Sequence, residues 1–335
     1  MKTKTINKLI SIFTVMATII TFANTAQAAV EIKVALVAPK TTTWGSNVEK
    51  MVEEIKSATK GEVKFKVWYG AHMGDESQVL MKIRTNQLQG GVFTGKTLGE
   101  INGDVRIMEV PFTFNSDRSK AFATMEKLSA TFNEGFLKHK FKNLGFFELG
   151  LVYLISTKKF DSFETLKGVS IWVWQGDKLS ETLISSMKLV AMPLDLPNVL
   201  TSLSTGMLDA AYASPLAITA MQWQSKAKYL IDFPVTYSIG AFLVSEEMWN
   251  KIPDNYKKIV EEIAQKHIKT TNEMTVKENV SALESIKKMG ITFLNFPQSD
   301  IDKGKQIRTD VINKLQDKLF SKKMVETFSK ETGIK

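Results

Sequence analysis

Short apolar strands alternate with amphipathic helices along most of the chain, and this alternation is what most constrains the fold. Ile32, Val34 and Leu36 share one face of a period-two pattern over residues 31–37. After a polar loop at 40–43, Val48, Met51, Val52 and Ile55 recur at helical spacing within residues 44–58, and Gly61 closes that segment. Val63, Phe65, Val67 and Tyr69 make a second strand, residues 70–74 a loop, and Asp75 an N-cap for a helix to about residue 86. Residues 90–94 read as a short buried strand. The same order begins again near Leu151: strands at 151–157 and 169–174, a helix after Gly176-Asp177, then strands at 189–192 and 209–214 around a helix at 197–204. Pro215 starts a further helix at its favoured first position. Past Ile239 the pattern turns helical. Residues 255–289 form one long helix or two in series, with Tyr256, Ile259, Val260 and Ile263 as the buried stripe. Gly290 stops it, residues 291–296 return as a strand, and two charged helical segments end the chain. The fold class expected is therefore α/β, with mixed sheets covered by helices on both faces. Two lobes are expected, residues 29–150 plus about 240–280 and residues 151–239 plus about 281–335, with a cleft between them.

The first residues predict export. Lys2, Lys4 and Lys8 precede an apolar run over residues 9–22, which closes on Ala26-Gln27-Ala28, a small-x-small cleavage pattern. The run is shorter than the roughly 20 apolar residues that span a bilayer, so residues 1–28 are expected to be a cleaved signal peptide. With no cysteine, the chain has no disulfide and no lipid-bearing cysteine. Removing three lysines lowers the formal charge from +9 to +6. The basic residues are mostly lysines scattered among acids, and only Arg84, Arg106, Arg118 and Arg308 are arginines. That dispersal argues against a nucleic-acid partner.

No motif points to catalysis. His72, His139 and His267 lie far apart and in no metal spacing, so no metal and no cofactor are expected. Residues 90–97 spell the P-loop pattern G-x-x-x-x-G-K-[ST]. Its chemistry needs a strand before the first glycine, whereas Val92-Phe93 places the strand inside the would-be loop. The match is read as chance, and the chain as no enzyme.

Tryptophan stands out instead. Trp172 and Trp174 lie two apart on one predicted strand and so share a face. They precede a helix N-terminus at a strand end, where open α/β sheets bind ligands. Core filling is the competing reading. Trp44, after the first strand, and Tyr212 with Ser214, at the end of a later one, hold similar positions.

Several short marks occur in a family order: Ala38-Pro39 with Trp44, Gly74-Asp75-Glu76, Gln87-Leu88-Gln89-Gly90-Gly91, Glu109-Val110-Pro111-Phe112, Leu166-Lys167-Gly168, and Leu203-Ser204-Thr205-Gly206 leading to Asp209. Through them the chain resembles the C4-dicarboxylate-receptor (DctP) type of solute-binding protein of tripartite ATP-independent periplasmic (TRAP) transporters. The resemblance implies a two-lobed periplasmic-binding-protein fold, type II-like, closing over one small molecule. It also implies a periplasmic location and delivery to small and large TRAP membrane subunits; a monomer is expected. Relatives hold a substrate carboxylate with an arginine on the strand after the Leu-Lys-Gly turn, and here that position is Trp172. A second arginine position aligns with Val152, and a frequent asparagine with Ser214. The candidate ligand-binding residues are Trp172, Trp174, Trp44, Tyr212, Ser214, Gln175, Glu76, Phe93 and Val152. A ligand neutral or apolar at the Trp172 end is expected. The alternatives are an anion captured by lysines or backbone amides, and a sensing or lipid-handling role on the same fold.

Overall fold

A computed structural model describes residues 29–334, so the expected signal peptide lies outside the described residues. The first strands and helices follow the alternation in the sequence. Strand β1 (Val30–Leu36) is followed by helix α1 (Thr43–Ala58), β2 (Val63–Tyr69), α2 (Glu76–Arg84), β3 (Gly90–Thr94) and α3 (Gly95–Ile101). Asp75 and Gln78 form a full capping box at the start of α2, Asp75 Oδ1 accepting from the Gln78 N–H at 2.8 Å. Residues 90–94 run as a strand paired with β1, so the P-loop spelling has no phosphate loop behind it.

An unexpected helix and an extended form of the strand expected at 151–157 come next. Helix α4 (Arg118–Lys138) precedes β4 (Phe141–Ser156), a 16-residue strand that begins ten residues before the expected one. The second half continues with β5 (Ser170–Val173), α5 (Lys178–Ser186), β6 (Val190–Pro193), α6 (Val199–Thr205), β7 (Ala210–Ala213), α7 (Pro215–Ala220) and β8 (Tyr229–Ile231). Strand β9 (Thr236–Ser245) replaces the start of the expected helical region, and α8 (Glu246–Lys251) is short. Then α9 (Asp254–Lys288) runs unbroken for 35 residues, followed by β10 (Thr292–Leu294), α10 (Gln298–Leu315) and α11 (Lys322–Thr332).

The strands run in the order β2-β1-β3-β9-β4-β7-β5-β6, with β8 joining β4 to β10. The long strand β4 divides this array into two lobes. Its residues 141–152 pair antiparallel with β9, and its last four, 153–156, pair with β7. Where it crosses, the register slips between Glu148 and Gly150, and Gly150 takes a φ of +97°. Helix α9 binds the backbone there. Asn272 accepts the Glu148 N–H at 2.9 Å and donates to the Phe146 carbonyl, while Asn279 donates to the Leu149 carbonyl at 2.9 Å. A Cβ on Gly150 would stand 2.9 Å from Asn279 Nδ2.

Helix α9 also ties the lobes through its apolar stripe. Val260, Ile263, Ala264 and Ile268 pack with Met51 and Ile55 of the first lobe, and Ile286 packs with Trp172 and Leu230 of the second. Tyr256 and Ile259, expected in that stripe, are half-buried at its edge. The C-terminal residues divide between the lobes: Phe296 and Ile307 pack with the second-lobe cluster of Phe160, Leu166 and Ile171. Ile312, Leu315, Met324 and Phe328 cover Phe114, Phe132 and Phe136 of the first, because the stripe of α4 presents an apolar face that needs a lid. Among the described residues no helix is long and apolar enough to cross a membrane.

Candidate functional site

The lobes enclose a cavity of about 570 Å3. Its second-lobe wall is aromatic. Period two along β5 turns Trp172 to the same side as Trp174 just beyond the strand end, and their ring centroids lie 5.3 Å apart. Tyr212, on the neighbouring β7, stands 5.2 Å from Trp172. Trp223 meets Trp172 edge-on at 5.5 Å. The Trp172 Nε1–H donates to the Leu194 carbonyl at 2.9 Å, which fixes a ring that is almost wholly buried and only borders the cavity. Across the space, Trp44 stacks on Phe147 at 4.7 Å and donates to Thr275 Oγ1 of α9 at 3.1 Å. Its neighbour Thr43 donates to Glu278 of the same helix.

Glu76 is the ionisable acid of this cavity. The capping box starts α2 at Glu76, and the carboxyl reaches β3, where Oε2 accepts the Thr94 N–H at 2.8 Å and the Thr94 hydroxyl at 3.1 Å. Burial pushes its carboxyl up to about 7, against the opposing pull of Thr94, Thr97 and Lys96. No lysine, arginine or histidine is among the lining residues.

The basic side chains around the cavity are paired with carboxylates. A smaller void of about 90 Å3 shares Thr94, Val152, Trp174, Tyr212 and Ser238 with this cavity and is bordered by Lys96, Arg106, Glu109 and Asp177. Arg106 Nη2 bonds both oxygens of Asp177, at 3.0 and 3.1 Å, and its Nε is 3.1 Å from Glu109. Asp177 also accepts from Leu179 N–H and Ser180 N–H as the N-cap of α5. Tyr212 donates to Ser180 Oγ at 2.8 Å, and Ser180 donates on to Asp177 at 2.6 Å, which links the cavity wall to this buried pair. Burial raises the Glu109 carboxyl despite the Arg106 charge beside it. Arg118 pairs with Glu148, Arg308 donates to the Phe112 carbonyl, and Arg84 is exposed.

This geometry has known counterparts. Residues 34–319 match the model of bacterial extracellular solute-binding protein family 7, DctP. The chain belongs to that family. As a DctP-type protein it is a TRAP solute receptor rather than an enzyme, of a family that works in the periplasm with a membrane transporter. A TRAP periplasmic solute-binding protein of Desulfovibrio salexigens, solved with bound orotic acid, superposes with a TM-score of 0.81 at 21% identity, over 91% of this chain and 99% of that one. One from Haemophilus influenzae RdAW, with bound L-gulonate, gives 0.82 at 19% identity, over 90% and 99%. A solute-binding protein of Chromohalobacter salexigens is 22% identical over 228 residues, 66% of each chain. At such identities the solved structures establish the two-lobed fold.

In this DctP-type receptor the cavity gathers Trp44, Glu76, Val152, Trp172, Trp174, Tyr212 and Ser214 from the expected set. Phe93 and Gln175 are corrections. Val92 and Thr94 of β3 face the cavity, so period two turns Phe93 the other way, into the core with Leu80 and Leu98. Gln175 follows the end of β5, and the turn at Gly176, with φ +75°, leaves it in solvent. Sequence reasoning missed Trp223, Leu149, Met221 and Ser238, which also line the space. Trp223 follows a left-handed Gln222 in an irregular turn, so no periodic pattern marks it.

Proposed function

We propose that this receptor holds a compact organic solute between its lobes, neutral or apolar where it meets Trp172, and passes it as a monomer to small and large TRAP subunits. The observation that carries this reading is the wall of Trp172, Trp174 and Tyr212 facing Trp44, in a cavity lined by no basic residue. A space of about 570 Å3 suits a small organic molecule, for which pockets run to roughly 300–1,000 Å3. The solved counterparts carry acids, orotic acid and L-gulonate. An acid here would meet indole faces and the Glu76 carboxyl, and a carboxylate stripped of water without a charged partner is costly. Capture by backbone amides at the start of α5 is disfavoured too, because Asp177 already takes those N–H groups.

The test is a calorimetric titration with a panel of organic acids and a panel of neutral ring compounds. Neutral compounds are expected to bind and to lose about tenfold or more in affinity in Trp174→Ala, whose ring is half-buried. Tight binding of a simple dicarboxylate that survives in Trp172→Ala contradicts the reading.

A further inference from the structure

Glu76 is the charged side chain that lines an otherwise aromatic, hydroxyl- and aliphatic-lined space. Only 6% of it is exposed, and both of its hydrogen bonds from Thr94 fall on Oε2. The charged group facing it from a packed element is Lys96 of α3, whose ammonium is taken up by Glu100 and Ser77. Lys40, on the loop that borders the cavity, pairs with Glu49. A buried carboxyl lining one cavity together with several aromatic rings is the combination that recognises organic cations: the rings attract positive charge through their quadrupoles, and the carboxylate neutralises it. We propose that Glu76 makes this cavity selective for an organic cation, an ammonium or protonated heterocycle whose apolar body lies against Trp172 and Trp174 while its charged end meets Glu76. This rests on the aromatic-solute reading above and names the polar end of that solute.

The site carries its own pH signature. The Glu76 carboxyl sits at about 7 in the empty protein, so a cation must ionise it at lower pH and displace its proton. Affinity for a cation then rises with pH through neutrality and levels off above it, whereas a neutral ligand gains nothing.

Isothermal titration with tryptamine, tryptophol and indole-3-acetate separates the possibilities, because the three share a ring and differ in charge. At about pH 8 tryptamine is expected to bind at least ~10-fold more tightly than tryptophol, with indole-3-acetate weakest. At about pH 6 the tryptamine advantage should shrink by about tenfold. In Glu76→Gln it should vanish while tryptophol still binds. Should that variant fail to fold in a thermal melt, the two pH arms on the wild-type protein decide alone. Indole-3-acetate ranking first, or a tryptamine advantage indifferent to pH and to Glu76→Gln, overturns the proposal. Tryptophol binding with no tryptamine advantage overturns this proposal and leaves the aromatic-solute reading standing. No binding by any of the three overturns both.

Discussion

Trp172 is 2% exposed, yet its ring still borders the cavity, because its N–H is anchored to Leu194 and its edges are clasped by Trp174, Tyr212 and Trp223. Of the two readings that the sequence left open, core filling describes most of that ring, and ligand contact is left to the small part that borders the cavity as a proposal. Glu76 shows the converse, a charge kept in an apolar wall at a cost. Its ordinary value of 4.5 is raised to about 7, so the folded chain binds more protons than the unfolded one between those limits. Stability from this group is therefore fully present at low pH and declines as pH rises from about 4.5 to about 7, by at most about 3 kcal/mol. In chemical unfolding of ligand-free protein, Glu76→Gln should remove that decline. The variant's stability relative to wild type should rise across this window and stay level above it. A pH-independent difference would contradict the burial argument.

At the scale of elements, the crossing of β4 between lobes depends on α9. The bulge near Gly150 frees backbone groups from the sheet ladder, and Asn272 and Asn279 recover them. Asn272→Ala leaves the Glu148 N–H and the Phe146 carbonyl without partners in a buried setting. It should cost about 2–4 kcal/mol, read as a lower urea midpoint at unchanged slope; a loss under about 0.5 kcal/mol would contradict the role given to that pair. The same bulges explain what the sequence hid. Strands β1, β2 and β3 keep a clean register and were legible from their patterns, whereas the slips at Gly145 and Gly150 break the phase of β4. Strand β9 is buried on both faces from Ile239 to Val244, so its apolar run has no alternation to separate it from helix. Helix α4 does carry a readable stripe, Met125, Leu128, Phe132 and Phe136. The aromatic wall was legible because two of its rings lie two residues apart, at the end of one strand and just past it. Arg106 and Asp177 were not, since they lie 71 residues apart and meet only through the fold.

At the scale of the whole molecule, two lobes share β4 and α9, and each contributes one wall to the cavity. Arg106 reaches from the first lobe to Asp177 at the head of α5 in the second, and Tyr212 connects that contact to the aromatic wall of the cavity through Ser180. Breaking a buried, hydrogen-bonded ion pair on one side costs about 3–5 kcal/mol, so this contact ties cavity shape to lobe position. The most direct measurement is native mass spectrometry of receptor taken from cells without refolding, on the wild type and Trp172→Ala, with the released molecule identified after denaturation. A small organic solute with a ring or apolar body and no carboxylate is expected on the wild type and absent from the variant. A sugar acid or dicarboxylate carried equally by both proteins would contradict it.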